Sequence, residues 1–361
     1  MFNYVVYSMT LQELFNWVEN FNSQDKQVDY ESTEDYIGRL LDRYFNELNK
    51  IPCPVRNVTE WEELLSGVDL LNTTIKVCLN LYAQAKIADS IIKFHNLLLS
   101  NTNLLTLEVN PANAEDKNWY RMRLQEDEKR IFPANEMFHI PFNLRHKVSL
   151  ARYSVSGYPC LYISRSVWAT WEEMHEPKLS DFTVSRLELQ NRFSVLDLRV
   201  PVWHDNYNEY VLLNQLYTIP LVLACSVKVK YPKDNFKPEY IIPQLVMLAI
   251  AYNDIPYMGC AYTSTMRNPI FTWPDIHLLD NIALPVKLIT QSQKLCSKLC
   301  SYFTVTDSTN YDFELLKKPY ESLFWNHVGE GLCINGAEDY SNSVFGQIEV
   351  RLKEKKSIVI Q

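Results

Sequence analysis

Apolar residues recur at helical spacing through the first third of the chain and alternate in short runs through much of the rest. Ile37, Leu40, Leu41, Tyr44, Phe45 and Leu48 fall on one face of a segment that Thr33-Glu-Asp-Tyr opens, which predicts an amphipathic helix. Thr10-Leu-Gln-Glu13 has the form of a capping box ahead of Leu14, Phe15 and Val18. Pro52 and Pro54 interrupt, Thr59-Glu-Trp-Glu62 opens a third helix, and Leu70, Leu71, Ile75, Cys78, Leu79 and Tyr82 keep the helical spacing onward from Val68 to Leu99. The expectation is a helical bundle or hairpin over residues 8–100.

Asn101-Thr-Asn103 and Asn110-Pro-Ala-Asn-Ala-Glu-Asp-Lys117 read as a linker, after which the texture changes. Strands are expected at Trp119–Leu124, Cys160–Ser164, Phe182–Leu189, Phe193–Arg199 and Tyr257–Ser264, and helices near Asn208–Tyr217 and Pro238–Tyr252. Leu221–Val229 is a buried strand or a helix end, and Val344–Lys353 a short amphipathic helix or strand. The fold class that follows is α+β, with an all-helical region at residues 1–110 and a second domain at residues 111–361.

Composition narrows the function classes. The chain has only eight glycines in 361 residues, and neither a Rossmann fingerprint nor a P-loop occurs. Any nucleotide must be gripped by side chains instead of glycine-rich backbone. Charge sums to −8, which argues against a general nucleic-acid coat. Eight cysteines without a paired C-x-x-C suit neither a disulfide scaffold nor a zinc ribbon, and a reduced cytosol is the simplest compartment. None of the seven histidines has metal-ligand spacing, so no metal is expected. The longest apolar run, Ile219–Ser226, is too short to span a bilayer, and Met1–Tyr7 lacks the basic region of a secretory signal.

The informative stretch runs from Phe138-His-Ile-Pro-Phe142 to Glu173. Arg152 precedes a turn built on Gly157 and Pro159, a strand then presents Tyr162, Ser164 or Ser166 caps a short helix, and Glu172 and Glu173 lie at its far end. A cation, an aromatic hydroxyl and a carboxylate thus arrive on consecutive short elements. Trp168 and Trp171 flank the glutamates and are expected to pack that helix on the core. Cys160 has no base beside it in sequence and reads as a strand-core thiol.

The pattern Arg–x4–Gly–x4–Tyr–x10–Glu, here Arg152, Gly157, Tyr162 and Glu173, resembles the core of the RES domain family. The aromatic–arginine pair opening that domain looks like Tyr120-Arg121, and its late serine looks like Ser264 in Ala261-Tyr-Thr-Ser-Thr265. Asn281-Ile-Ala-Leu-Pro285 resembles a later element, with Ile282 where the family usually has an aromatic. The resemblance covers about residues 118–350 and leaves 1–110 outside it.

The resemblance implies an α+β fold similar to the diphtheria-toxin-like ADP-ribosyltransferases, and a toxin that degrades NAD+ by hydrolysis or phosphorolysis under the control of an antitoxin. Glu173 then stands by the developing oxocarbenium ion, with Glu172 the alternative carboxylate. Arg152 pairs with the pyrophosphate, Tyr162 stacks on nicotinamide or ribose, Ser264 hydrogen-bonds the same end, and a second cation, Arg121 or Arg123, shares phosphate neutralisation. NAD+ enters as substrate, without metal, and neither nucleic acid nor membrane is an expected partner. Transfer of ADP-ribose to a macromolecule and a non-catalytic NAD-binding module are the competing readings. Regulation, antitoxin binding and self-association are all open to the N-terminal helices.

Overall fold

The computed structural model describes residues 13, 14, 17, 27–55, 57–101, 103–125, 130–201, 208–252, 254–265, 276–287, 294–310 and 340–360. In chain order the first elements are helices α1 (Thr33–Leu48), α2 (Val58–Ala83) and α3 (Ile87–Ser100), strands β1 (Thr106–Val109), β2 (Asn118–Leu124) and β3 (Cys160–Ser164), and helix α4 (Val167–Glu173). Then follow β4 (Phe182–Leu189), β5 (Phe193–Leu198), α5 (Glu209–Cys225), α6 (Ile241–Ala251), β6 (Cys260–Thr263) and β7 (Asp280–Pro285). The last are α7 (Ser297–Cys300), β8 (Phe303–Thr306), α8 (Val344–Glu354) and β9 (Ser357–Val359). The fold is mixed α+β, and among the described residues no helix is long and apolar enough to cross a membrane.

Chain contacts divide the molecule into two units. The first comprises Met1–Thr106, Ala151–Tyr153 and Leu196–Pro256, so the helices expected in residues 1–110 are joined there by α5 and α6. Side-chain caps start these helices: Ser32, Asn57 and Asn208 accept from the amides of Asp35, Thr59 and Val211, each such cap contributing about 1 kcal/mol. The buried stripe of α1 is Thr33, Tyr36, Ile37, Leu40, Leu41, Tyr44 and Leu48, as the periodicity predicts except that Tyr36 is buried and Phe45 only partly so. The helical spacing from Val68 to Leu99 is divided between α2 and α3 by a turn at residues 84–86, where Ala85 takes φ 61°.

Helix α5 extends the predicted Asn208–Tyr217 helix to Cys225, with Pro220 inside it. A proline has no N–H for the carbonyl four residues back. That carbonyl, on Leu216, instead accepts from the hydroxyl of Tyr44 on α1 at 2.8 Å. The Leu221–Val229 run is therefore a helix end and not a strand, because its missing backbone bond is supplied from outside the helix.

The second unit comprises Leu107–Leu150, Ser154–Val195 and Tyr257–Gln361. Among the described residues the sheet has nine strands in the order β1-β5-β6-β7-β3-β2-β4-β8-β9. Strands β1, β7, β8 and β9 were not expected from the sequence, and β1 falls between the two stretches, 101–103 and 110–117, expected as linker. β2 pairs with β4 along its whole length, from Asn118↔Glu188 to Leu124↔Phe182, and β3 pairs with β7 from Cys160↔Pro285 to Ser164↔Asn281. Between these two ladders β2 and β3 meet at one register pair, Tyr120↔Ser164. One apolar cluster of this unit gathers Trp119, Leu161, Ile163, Leu187, Ile282, Leu284 and Phe303. Another packs α4 and α8 against Tyr120, Met122 and Val184. Val344–Glu354 is thus the amphipathic helix and not the strand of the two expected alternatives.

Candidate active site

Strand alternation places Tyr162 and Ser164 on one face of β3, opposite Ala283 and Asn281 of β7. On the far side of β7, Tyr262 pairs with Asn281 and Thr263 with Asp280, and the Ser264 amide donates to Leu279 O at 3.1 Å. The end of β3, the start of β7 and the end of β6 therefore lie side by side. Helix α4 leaves this corner. The Arg165 amide donates to Asp280 O at 2.8 Å, and Ser166 accepts from the Ala169 amide while its hydroxyl donates to Leu278 O at 2.6 Å.

Asn281 ties the helix to the strands. Its Nδ2 donates to Glu173 Oε1 at 3.3 Å and to Leu279 O at 3.1 Å, and its Oδ1 accepts from the Ser164 hydroxyl. The two glutamates that the sequence left as alternatives differ sharply. Glu172 is 1 % exposed on the packed side of α4, whereas Glu173 is half-buried and faces Asn281. Just beyond, His175 and Glu176 both take positive φ, 62° and 54°, in a turn closed by bonds from their amides to Glu172 O and Trp171 O. Consecutive non-glycine residues in this region are uncommon and strained, and such strain clusters where geometry is functionally constrained. Trp168 and Trp171 are buried as expected, Trp171 lying 5.3 Å from the Phe345 ring.

Where β2 and β3 part, the Tyr162 carbonyl accepts from Arg121 Nη1 at 3.0 Å. The Arg121 guanidinium is buried, and its Nε has no hydrogen-bond partner among the described residues. Burial, and then repulsion from Arg123, lower its pKa to about 10, leaving it a cation at neutral pH. The Tyr162 hydroxyl donates to Ser154 Oγ at 3.2 Å, and Ser264 is buried at 6 % exposure. Arg121, Tyr162, Glu173 and Ser264 all belong to the second unit.

Arg152 belongs to the first unit. It lies in a turn and not on a strand beside Tyr162. Its Nη1 donates to Cys225 O and Val227 O, each at 2.9 Å, and its guanidinium lies 5.1 Å from the Tyr240 ring centre. A cation bonded to the last carbonyl of α5, on Cys225, complements the negative end of that helix. Gly157 does take the left-handed conformation expected of it, at φ 80°, with its amide donating to Val148 O at 3.0 Å.

Sequence reasoning overlooked two polar groups of this unit. His277 Nδ1 and Asp280 Oδ2 are 3.0 Å apart, with the Asp280 side chain nearly inaccessible. His139, next to the Phe138 that opens the informative stretch, is buried with both ring nitrogens engaged: Nδ1 donates to Ile140 O at 2.8 Å, and Nε2 accepts from the Cys296 amide at 2.9 Å. No motif spacing signals either: His277 lies only three residues before Asp280, and His139 bonds its neighbour Ile140 and the distant Cys296. Burial pushes the Cys160 thiol well up, which suits the strand-core thiol expected. Among the described residues no three His, Cys, Asp or Glu side chains are grouped to hold a metal ion.

No family model matches the sequence, and no solved structure matches it. The chain is similar to the Bacillus subtilis (strain 168) protein named "Putative toxin YopC", with 29 % identity over 343 residues that cover 90 % of this chain and 76 % of that protein.

Proposed function

We propose that the protein is a toxin that cleaves the nicotinamide N-glycosidic bond of NAD+, by hydrolysis or phosphorolysis, at a site of RES type on a fold similar to the diphtheria-toxin-like ADP-ribosyltransferases. The observation that carries the reading is the Asn281–Glu173 bond, which holds a half-buried carboxylate at a corner where β3, β6 and β7 also bring Tyr162 and Ser264. Similarity to a protein named as a toxin supports the biological class.

The chemistry needs a carboxylate beside a developing oxocarbenium ion and little acid assistance, because nicotinamide leaves as a neutral molecule. Glu173 takes that role and orients the incoming water or phosphate. Tyr162 stacks on the nicotinamide end, and Ser264 donates to it. Arg121, a buried cation whose Nε–H has no partner among the described residues, faces the dinucleotide phosphates. NAD+ is the substrate, no metal takes part, and the cytoplasm is where substrate and antitoxin are met.

The test is product analysis. The full-length protein is incubated with NAD+, with and without phosphate, and the products are resolved by mass. Nicotinamide with free ADP-ribose or its phosphate is expected from the native chain, and none from Glu173→Ala. Label retained on a macromolecule would select ADP-ribosyl transfer instead. Binding without turnover would leave a regulatory NAD-binding module.

A further inference from the structure

The amide of Val167, the first residue of α4, donates at 2.8 Å to Oε1 of Glu349, in the middle of α8. The same oxygen accepts from the Tyr340 hydroxyl at 2.6 Å, and the Trp168 amide reaches that hydroxyl at 3.5 Å. Glu349 is 9 % exposed. The turn bearing Tyr340 closes tightly on α8, because a Cβ at Gly346 would stand 2.4 Å from Tyr340 O. The other titratable groups around the carboxylate are Tyr120 of β2, Lys353 of α8 and Arg186 of β4, the last beside Tyr120.

A buried carboxylate is an expensive way to satisfy one amide, since an apolar side chain would fill the space without desolvating a charge. Burial raises its pKa to about 7, so the fold carries a cost there at neutral pH. The helix it grips spans seven residues and ends on Glu173. With so few turns, displacement of the first turn is transmitted to the last.

We propose that Glu349 is a positioning residue for Glu173: by accepting from the Val167 amide and the Tyr340 hydroxyl it fixes the first turn of α4, and with it the carboxylate at the far end. The inference rests on the reading of Glu173 as the carboxylate of NAD+ cleavage. Glu349 touches no substrate. Its effect is on turnover and not on substrate binding.

The experiment is steady-state nicotinamide release by the full-length protein and by Glu349→Gln and Glu349→Leu. The amide oxygen of glutamine can accept both bonds; leucine can accept neither. A misplacement of about 1 Å at the reacting groups from a remote substitution can cost about a hundredfold. Glu349→Leu is therefore expected to lower kcat at least about tenfold with KM nearly unchanged, and Glu349→Gln to restore most of it. A folded Glu349→Leu with native kcat, or leucine and glutamine variants falling alike, would overturn the proposal. Should the leucine variant not fold, Tyr340→Phe replaces it, and an unchanged kcat there is equally fatal. A native chain that releases no nicotinamide would sink the functional reading alone. The positioning claim is then decided by the near-ultraviolet dichroism of Trp168 and Trp171, which Glu349→Leu must alter and Glu349→Gln must return to native.

Discussion

Asn281 holds Glu173 from the strand side, with its Nδ2 on the carboxylate and its Oδ1 on the Ser164 hydroxyl. The amide is thereby locked in one orientation, since a flip would set oxygen against carboxylate. Asn281→Asp keeps the shape and places a second negative charge against Glu173. It is expected to lower nicotinamide release by about a hundredfold, the scale on which losing one aligned donor acts. Asn281→Ala, measured in the same assay, should lose less, because it removes the tether without adding repulsion.

The bond from Tyr44 to the Leu216 carbonyl replaces the one Pro220 cannot make. Tyr44→Phe strands a buried carbonyl and should cost about 1–3 kcal/mol in urea unfolding. In a Pro220→Ala background the helix supplies its own amide, and the same substitution should cost clearly less. Equal costs in the two backgrounds would refute the compensation.

Two buried groups give stability opposite dependences on pH. Burial lowers His139 from 6.5 to about 4. The unfolded chain therefore binds the proton first, and stability present above pH 6.5 is lost as pH falls towards 4. Burial raises Glu349 from 4.5 to about 7. Here the folded chain binds the proton, and stability present below pH 4.5 is lost as pH rises through 7. Each swing amounts to about 3 kcal/mol, so the two nearly cancel between pH 4.5 and 6.5. Urea midpoints of Glu349→Gln should rise with pH across that window. Those of His139→Gln should fall, and parallel slopes in the two variants would contradict the assignment.

His175 and Glu176 hold left-handed conformations at a cost of about 1 kcal/mol each. Glycine meets no such penalty, so His175→Gly should raise the melting temperature slightly. If the strain helps to place Glu173, the same variant should lose activity while gaining stability.

The helices and the longer strands were legible because their periodicity is local. β2, β3, β4 and β5 stand where alternation put them, and α1 where its apolar face did. The strand β7 was not legible because all six of its residues are buried, which erases alternation. The length of α5 was hidden because its proline is compensated by a tyrosine 172 residues away from the carbonyl it bonds. At the site, motif spacing marked Tyr162 and Glu173, and the structure separates Glu173 from Glu172 by exposure. Arg152 was marked by the same spacing, and the structure bonds it to the carbonyls of Cys225 and Val227. Glu349 had no signal at all, since an acidic residue on an amphipathic helix reads as solvent-facing until the helix is packed.

The single register pair between β2 and β3 has a further consequence for how the sheet comes apart. Seven pairs bind β2 to β4 and five bind β3 to β7, so the line between these two ladders, at Tyr120 and Ser164, is weaker than either, and there an arginine side chain takes the place of a ladder bond. The two ladders should behave as separate cooperative blocks, each opening with its own free energy. Arg121, which bridges them, is then a latch between foldons, and a ligand that draws its guanidinium away from Tyr162 O would be felt first as a loosening of that line.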